Sequence, residues 1–102
     1  MNRGAIYDIE LPGGRRAAVI VTRERAIPFL ANVTVAAITR TVRQLPTEVA
    51  VGPEQGLRAI SVVNTDNLFT IPKASLGARR GALDPAGEQA LNEALAIALG
   101  LD

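Results

Sequence analysis

The sequence predicts a mainly β protein with one C-terminal helix, folded as a small, partly open barrel. Short apolar runs rich in β-branched residues, each bounded by glycine, proline or charged residues, fill most of the chain as far as Pro72. After Asp84 the apolar residues recur at helical spacing instead. A chain of 102 residues is expected to be one domain, here 1–102. Short strands in so small a chain favour a curled sheet or barrel over a flat one.

The strands follow from alternation and from continuous apolar runs. Residues 5–11 alternate, with Ala5, Tyr7, Ile9 and Leu11 on one face, which indicates a half-buried strand. We predict strands at 5–11, 17–22, 32–39, 48–51, 60–63 and 67–71, a loop or short helical turn at 23–31, a turn at 52–56, and a closing helix at about 85–99. Asp84 before Pro85 is the N-cap and N1 arrangement, and Gly100 supplies the stop.

The composition removes several kinds of chemistry. The chain has no histidine and no cysteine, so imidazole acid–base catalysis, thiol nucleophiles and Cys/His zinc sites are excluded. Only three residues are aromatic, which argues against a base-stacking platform. Any reaction must use arginine, hydroxyl, carboxylate and amide groups, and we expect neither a metal nor a cofactor.

The charges are unevenly distributed along the chain. All eleven basic residues lie in 1–80 with six acidic ones, whereas 81–102 holds four acidic residues and no basic one. Ten of the eleven cations are arginine, the side chain suited to bidentate phosphate contacts. A polyanionic partner and ordinary solvated surface charge are both consistent with this pattern. No apolar stretch is long enough to cross a membrane and the N-terminus does not resemble a signal peptide, so we expect a cytoplasmic protein.

Two buried runs present polar or cationic side chains where they meet loops. The glycine turn Gly13-Gly14 is followed by Arg15 and Arg16 and then by an apolar strand, and the run 33–38 ends at Thr39-Arg40. Because the two junctions lie on one rigid sheet, they predict an anion-binding cleft.

These segments carry a family resemblance that spans nearly the whole chain. They are Arg3-Gly4-x-Ile6-Tyr7, Gly13-Gly14-Arg15-Arg16, Ala36-Ala37-Ile38-Thr39, Ser61-Val62-Val63-Asn64-Thr65-Asp66-Asn67 and Ala94-Leu95-x-x-Ala98-Leu99-Gly100-Leu101. In this order they resemble the MazF/PemK (Kid) family, the toxin endoribonucleases of bacterial toxin–antitoxin pairs. The resemblance implies an SH3-like barrel of the CcdB/PemK type and a homodimer neutralised by a cognate antitoxin. It also implies sequence-specific, metal-independent cleavage of single-stranded RNA, in which the 2′-hydroxyl attacks the phosphate to leave 2′,3′-cyclic phosphate and 5′-hydroxyl ends.

The resemblance assigns roles to particular residues. Arg16 matches the family's catalytic arginine and Thr39 its catalytic threonine, while Asp66 matches an acidic position in the turn after the Ser-Val-Val strand. We expect RNA contacts from Arg15, Arg40, Asn64, Asp66 and Asn67. For Arg16 the alternative is a solvated charge and for Thr39 an ordinary strand residue. For Asn64 and Asn67 the alternative is turn stabilisation, and for Asp66 it is capping a turn or holding an arginine.

The chain departs from the family pattern at several positions, and two other functions remain open. The first loop is short, Ala17 replaces a common proline, and 67–70 lacks a common arginine. One alternative is a CcdB-like gyrase-binding toxin, although the C-terminal Trp-Gly-Ile of that group is absent. The other is a non-catalytic SH3-like module that binds nucleic acid or protein.

Overall fold

The computed structural model describes residues 1–102 as a six-stranded antiparallel sheet with one C-terminal helix. The strands are β1 (Ala5–Leu11), β2 (Gly14–Ile20), β3 (Asn32–Thr39), β4 (Glu48–Val51), β5 (Ser61–Pro72) and β6 (Leu76–Ala82), and the helix is α1 (Pro85–Ala98). Short 3-10 turns occupy Glu24–Phe29, Pro53–Gln55 and Lys73–Ser75. The mainly β fold class with a closing helix is therefore confirmed.

The strand order across the sheet is β4-β5-β3-β2-β1-β6, and every pairing is antiparallel. In the central ladder Ala18 lies opposite Ala37 and Ile20 opposite Val35. β4 and β6 are the two edges of the sheet and do not pair with each other. The sheet is thus open along this seam.

A backbone contact between two glycines narrows the seam between the sheet edges. Gly56, after the 3-10 turn that follows β4, has a φ of +91° and lies against the backbone of Arg80 in β6. A Cβ on Gly56 would collide with the carbonyl of Arg80, and a Cβ on Gly81 would collide with the carbonyl of Gln55. The two glycines therefore allow the loop to pack directly on the edge strand.

Apolar side chains form two buried clusters. The larger joins α1 to the sheet through Leu91 and Ala94, which pack with residues such as Ile6 and Val63. The smaller, which includes Ile20 and Val35, is covered by Ile27 of the first 3-10 turn. The two clusters fix the central strands rigidly and so fix the strand ends that carry Arg16 and Thr39.

The helix begins as the sequence predicts. The Asp84 carboxylate accepts a hydrogen bond from the Gly87 N–H at 2.7 Å, and Pro85 occupies the first helical position. No helix of the protein has both the length and the apolar character needed to span a membrane.

Three strand predictions need correction. β2 begins at Gly14 rather than 17, so Arg15 and Arg16 belong to the strand, and its first half is exposed rather than fully buried. The predicted strands 60–63 and 67–71 are one strand, β5, whose ladder with β3 is interrupted by a bulge. β6 was not predicted, because its run 77–81 is largely exposed and has no apolar alternation.

Candidate active site

A cleft of about 710 Å³ lies where β2 and β3 meet the loop after β4 and the edge strand β6. The polar residues that line it are Asp8, Arg15, Arg16, Thr39, Arg40, Thr41, Arg58, Ser61 and Arg80. Five arginines and a single carboxylate therefore face the same space. A concave surface with this excess of positive charge is suited to an extended polyanion.

Arg16 and Thr39 reach the cleft from neighbouring strands. Ala18 and Ala37 form the last pair of the β2–β3 ladder, and continuation of its register places Arg16 opposite Thr39. The paired ladder ends before it reaches these two residues, and both side chains line the cleft. The sequence-based prediction that the two junctions share one cleft is thus met by the geometry.

The Thr39 hydroxyl has a defined orientation. Its oxygen accepts a hydrogen bond from the Thr41 N–H at 3.1 Å, so its own hydrogen is left to donate elsewhere. Arg16 is exposed and makes no ion pair, which leaves all the donors of its guanidinium available. One fixed hydroxyl and one free guanidinium can both donate hydrogen bonds to the oxygens of a phosphate.

Arg15 and Arg40 also line the cleft but differ in their surroundings. The Arg15 Nε donates to Glu10 at 3.2 Å across β1 and β2, and both side chains are well exposed. Such an exposed pair is weak and exchanges readily with another anion. Arg40 is exposed and makes no ion pair. Both are therefore positioned to contact the backbone of a bound polyanion.

An ion pair between the buried carboxylate of Asp8 and the exposed Arg80 was not anticipated from the sequence. The Arg80 Nε donates to both carboxylate oxygens of Asp8 at 3.0 Å, and its Nη2 donates to Oδ2 at 2.6 Å. The hydrogen bonds and the charge of Asp8 raise the pKa of Arg80 above its ordinary value. Arg58 and Ser61 are also cleft residues that sequence reasoning missed. No sequence signal links these residues, since Asp8, the 58–61 segment and Arg80 are far apart along the chain.

The predicted base-contacting residues Asn64, Asp66 and Asn67 do not line the cleft but lie in β5, at its bulge or next to it. Between the Ala37–Asn64 and Ala36–Leu68 pairs, three residues leave the β3–β5 ladder, and Asp66 and Asn67 in this bulge are exposed. The Asp66 carboxylate accepts a hydrogen bond from the Thr47 hydroxyl at 2.7 Å. The backbone N–H of Asp66 donates to the side-chain oxygen of Asn64 at 3.0 Å. Both contacts stabilise the bulge, and RNA recognition by Asn64, Asp66 and Asn67 stays a prediction.

No group of three or more carboxylate, histidine or cysteine side chains comes together in a way that could hold a metal ion. The donors of the cleft are guanidinium and hydroxyl groups instead. Chemically, this set can bind a phosphodiester, neutralise charge that develops on its oxygens and orient a neighbouring hydroxyl.

Comparison with known proteins identifies the family. Residues 2–99 match the model described as PemK-like, MazF-like toxin of type II toxin–antitoxin system. The chain is 51% identical over 87 residues to endoribonuclease MazF3 of Mycobacterium tuberculosis strain H37Rv, covering 85% of this chain and 84% of that one. Among solved structures it resembles M. tuberculosis toxin MazF-mt6, with a TM-score of 0.89, 47% identity and 96% and 98% of the two chains covered.

It also resembles a mycobacterial endoribonuclease solved in complex with its cognate antitoxin. Here the TM-score is 0.92 at 37% identity, with 100% of this chain and 97% of the other covered. The match to the family model, the sequence identity and the shared fold extend over nearly the same residues. The chain belongs to the PemK-like, MazF-like family of toxins of type II toxin–antitoxin systems.

Proposed function

We propose that this protein is an endoribonuclease toxin that cleaves single-stranded RNA, messenger RNA included, at a specific sequence and is neutralised by a cognate antitoxin. The proposal is supported by family membership over residues 2–99 and by relatives named as MazF endoribonucleases. The observation that carries it within this chain is that Arg16 and Thr39 line one strongly cationic cleft. That arrangement can stabilise charge on a phosphate without an imidazole.

The reaction we propose is an intramolecular transesterification. The 2′-oxygen of the nucleotide before the cut forms a bond to the phosphorus, and the bond from phosphorus to the 5′-oxygen breaks. The 2′-hydroxyl loses its proton and the departing 5′-oxygen gains one, which leaves a 2′,3′-cyclic phosphate and a 5′-hydroxyl. No water attacks and no metal takes part. Negative charge accumulates on the non-bridging oxygens as the five-coordinate state forms.

Arg16 and Thr39 are the residues we assign to this step. The Arg16 guanidinium binds the non-bridging oxygens with its planar fork as their charge increases. The Thr39 hydroxyl, held by the Thr41 N–H, donates to the same oxygens or orients the attacking 2′-hydroxyl. Because arginine stays protonated near neutral pH, catalysis rests mainly on positioning and charge stabilisation.

The remaining assigned residues bind the RNA rather than the reacting atoms. Arg15 and Arg40 contact phosphates on either side of the cut, since both are exposed at the cleft. Asn64, Asp66 and Asn67 read base edges with amide and carboxylate groups at the β5 bulge, which is rigid enough to hold them.

We further propose that the toxin is a cytoplasmic homodimer whose RNA groove is shared with the antitoxin. A barrel this small gains stability by pairing. An acidic antitoxin segment would occupy the cationic cleft, so RNA and antitoxin would compete directly and both would bind more weakly as salt increases. Light scattering at micromolar protein concentration tests the assembly, because a monomer of 10.7 kDa would contradict the dimer.

The decisive experiment is cleavage of a long single-stranded RNA in EDTA, followed by mapping of both product ends. We expect cuts at one recurring sequence, with cyclic phosphate and 5′-hydroxyl ends. A substrate with a 2′-deoxy sugar before the cut should resist cleavage, because it lacks the attacking oxygen.

The matched control is the Arg16→Ala, Thr39→Ala double variant purified in parallel. Contaminating ribonucleases also form cyclic phosphates, so any activity that survives in this variant is not the toxin's own. Activity that requires Mg²⁺, or normal cutting of the 2′-deoxy substrate, would contradict the proposed reaction.

A further inference from the structure

The Asp8–Arg80 pair is the least expected feature of the cleft. Asp8 is the single carboxylate among the cleft residues, and only 11% of its side chain is exposed. Burial of a charged group is costly unless its hydrogen bonds are satisfied, and Arg80 supplies three of them. Arg80 itself remains 38% exposed at the cleft. A buried carboxylate thus holds an arginine whose other donors are still accessible.

Backbone packing also fixes the segment of β6 that carries Arg80. Gly56 packs against the backbone of Arg80, and Gly81 packs against the backbone of Gln55. This contact fixes β6 relative to the loop that carries Arg58, the neighbouring cleft arginine. The position of the Arg80 backbone and the direction of its guanidinium are therefore both fixed before any ligand binds.

We propose that Arg80 binds a backbone phosphate of the RNA other than the one held at Arg16 and Thr39, and that Asp8 is the positioning residue for Arg80. The Nε and one Nη2 hydrogen of Arg80 are committed to Asp8, which leaves the Nη1 side of the fork for a phosphate oxygen. This inference rests on the proposed function, because it assumes that single-stranded RNA is the ligand of the cleft.

The proposal makes a prediction that opposes simple electrostatics. If Asp8 acted only as a negative charge beside the RNA, its removal would strengthen RNA binding. As a positioning residue, its removal must weaken binding although the cleft becomes more positive. The double change Asp8→Asn, Arg80→Gln removes one charge of each sign, so the net charge of the cleft is unchanged and only the subsite is lost.

The test is binding of fluorescein-labelled, fully 2′-O-methylated oligouridylate, which cannot be cleaved, measured by fluorescence anisotropy at several salt concentrations. We expect the double variant to bind about tenfold more weakly. The slope of log affinity against log salt should decrease by about 0.7, the value for one lost phosphate contact on a single strand. Asp8→Asn alone should also weaken binding. The control Glu10→Gln, which removes an exposed carboxylate that pairs with Arg15 but does not line the cleft, should bind as well as the wild type or better.

An unchanged slope in the double variant, or tighter binding by Asp8→Asn, would overturn the inference. If circular dichroism shows that the Asp8 variants do not fold, Arg80→Lys decides, because it keeps the charge next to Asp8 and loses the planar fork. We expect about fivefold weaker binding from Arg80→Lys, and wild-type affinity would overturn the inference. If the wild type cleaves RNA but the double variant keeps the full salt slope, the Arg80 subsite is rejected and the proposed function is not. A wild type that neither binds the probe nor cleaves a long single-stranded RNA rejects the proposed function as well.

Discussion

Replacement of Thr39 by valine tests the catalytic assignment with little change in packing. Threonine and valine are both β-branched and nearly equal in size, so the change exchanges a hydroxyl for a methyl group. The structure defines what is lost. The Thr41 N–H loses its acceptor at 3.1 Å, and the cleft loses the one hydrogen that the hydroxyl has free to donate.

The two losses have very different sizes. Thr41 is exposed, so water replaces the lost hydrogen bond at a cost of about 0.5–1 kcal/mol in the free energy of unfolding. This corresponds to a decrease in Tm of about 2–8 °C for a domain of this size. Loss of one preorganised donor to a developing oxyanion lowers kcat by about 10²–10³-fold. Because that contact strengthens in the transition state, kcat and kcat/KM should decrease together.

The assay is initial-rate cleavage of a short RNA that contains the mapped cut site. The matched control is Thr34→Val, on the same strand, whose hydroxyl lies 2.8 Å from that of Thr70 and outside the cleft. We expect Thr34→Val to keep cleavage within about twofold, and Thr39→Ser, which retains the hydroxyl, to keep it within about tenfold. If Thr39→Val cleaves within threefold of Thr34→Val, the assignment of Thr39 is wrong.

Two further changes test the geometry of the cleft. Arg16→Lys keeps the positive charge but loses the bidentate fork, so cleavage should decrease about 10²-fold with little change in Tm, whereas Arg25→Lys, outside the cleft, should cleave normally. Equal rates for the two variants would reject Arg16. Gly56→Ala should lower the free energy of unfolding by about 1–3 kcal/mol more than Gly100→Ala, measured by denaturant titration, since both have positive φ but only Gly56 faces a backbone collision. Equal losses would show that the contact with β6 is readily relaxed.

Buried elements were predicted well because burial leaves a pattern in the sequence. β1, β3 and α1 have faces packed against the core, and their alternation or helical spacing marks them clearly. β6 pairs only with β1 at the sheet edge and is mostly exposed, so selection for burial has left no such signal. The polar run 64–66 was predicted to separate two strands, but its side chains stabilise a bulge within one continuous strand.

The same reasoning explains which site residues were found. Arg16 and Thr39 lie at the ends of buried strands, so local sequence and family resemblance both point to them. Asp8 and Arg80 are 72 positions apart, and their pairing depends on the position of β6 beside β1. A contact between distant residues that requires an unpredicted strand cannot be derived from local pattern.

The chain's net charge of +1 does not indicate how unevenly its charges are distributed in the fold. Four of its ten acidic residues lie beyond position 80. Two of them, Glu88 and Glu93, are on α1, which packs against β4 and β5, and none of the four lines the cleft. Charges farther apart than about 8 Å are largely screened at physiological ionic strength. Five arginines line the cleft, while the four acidic residues beyond position 80 lower the net charge of the chain without lining it. Segregation of this kind gives a strongly cationic groove on a nearly neutral protein, which limits non-specific attraction to nucleic acid away from the groove.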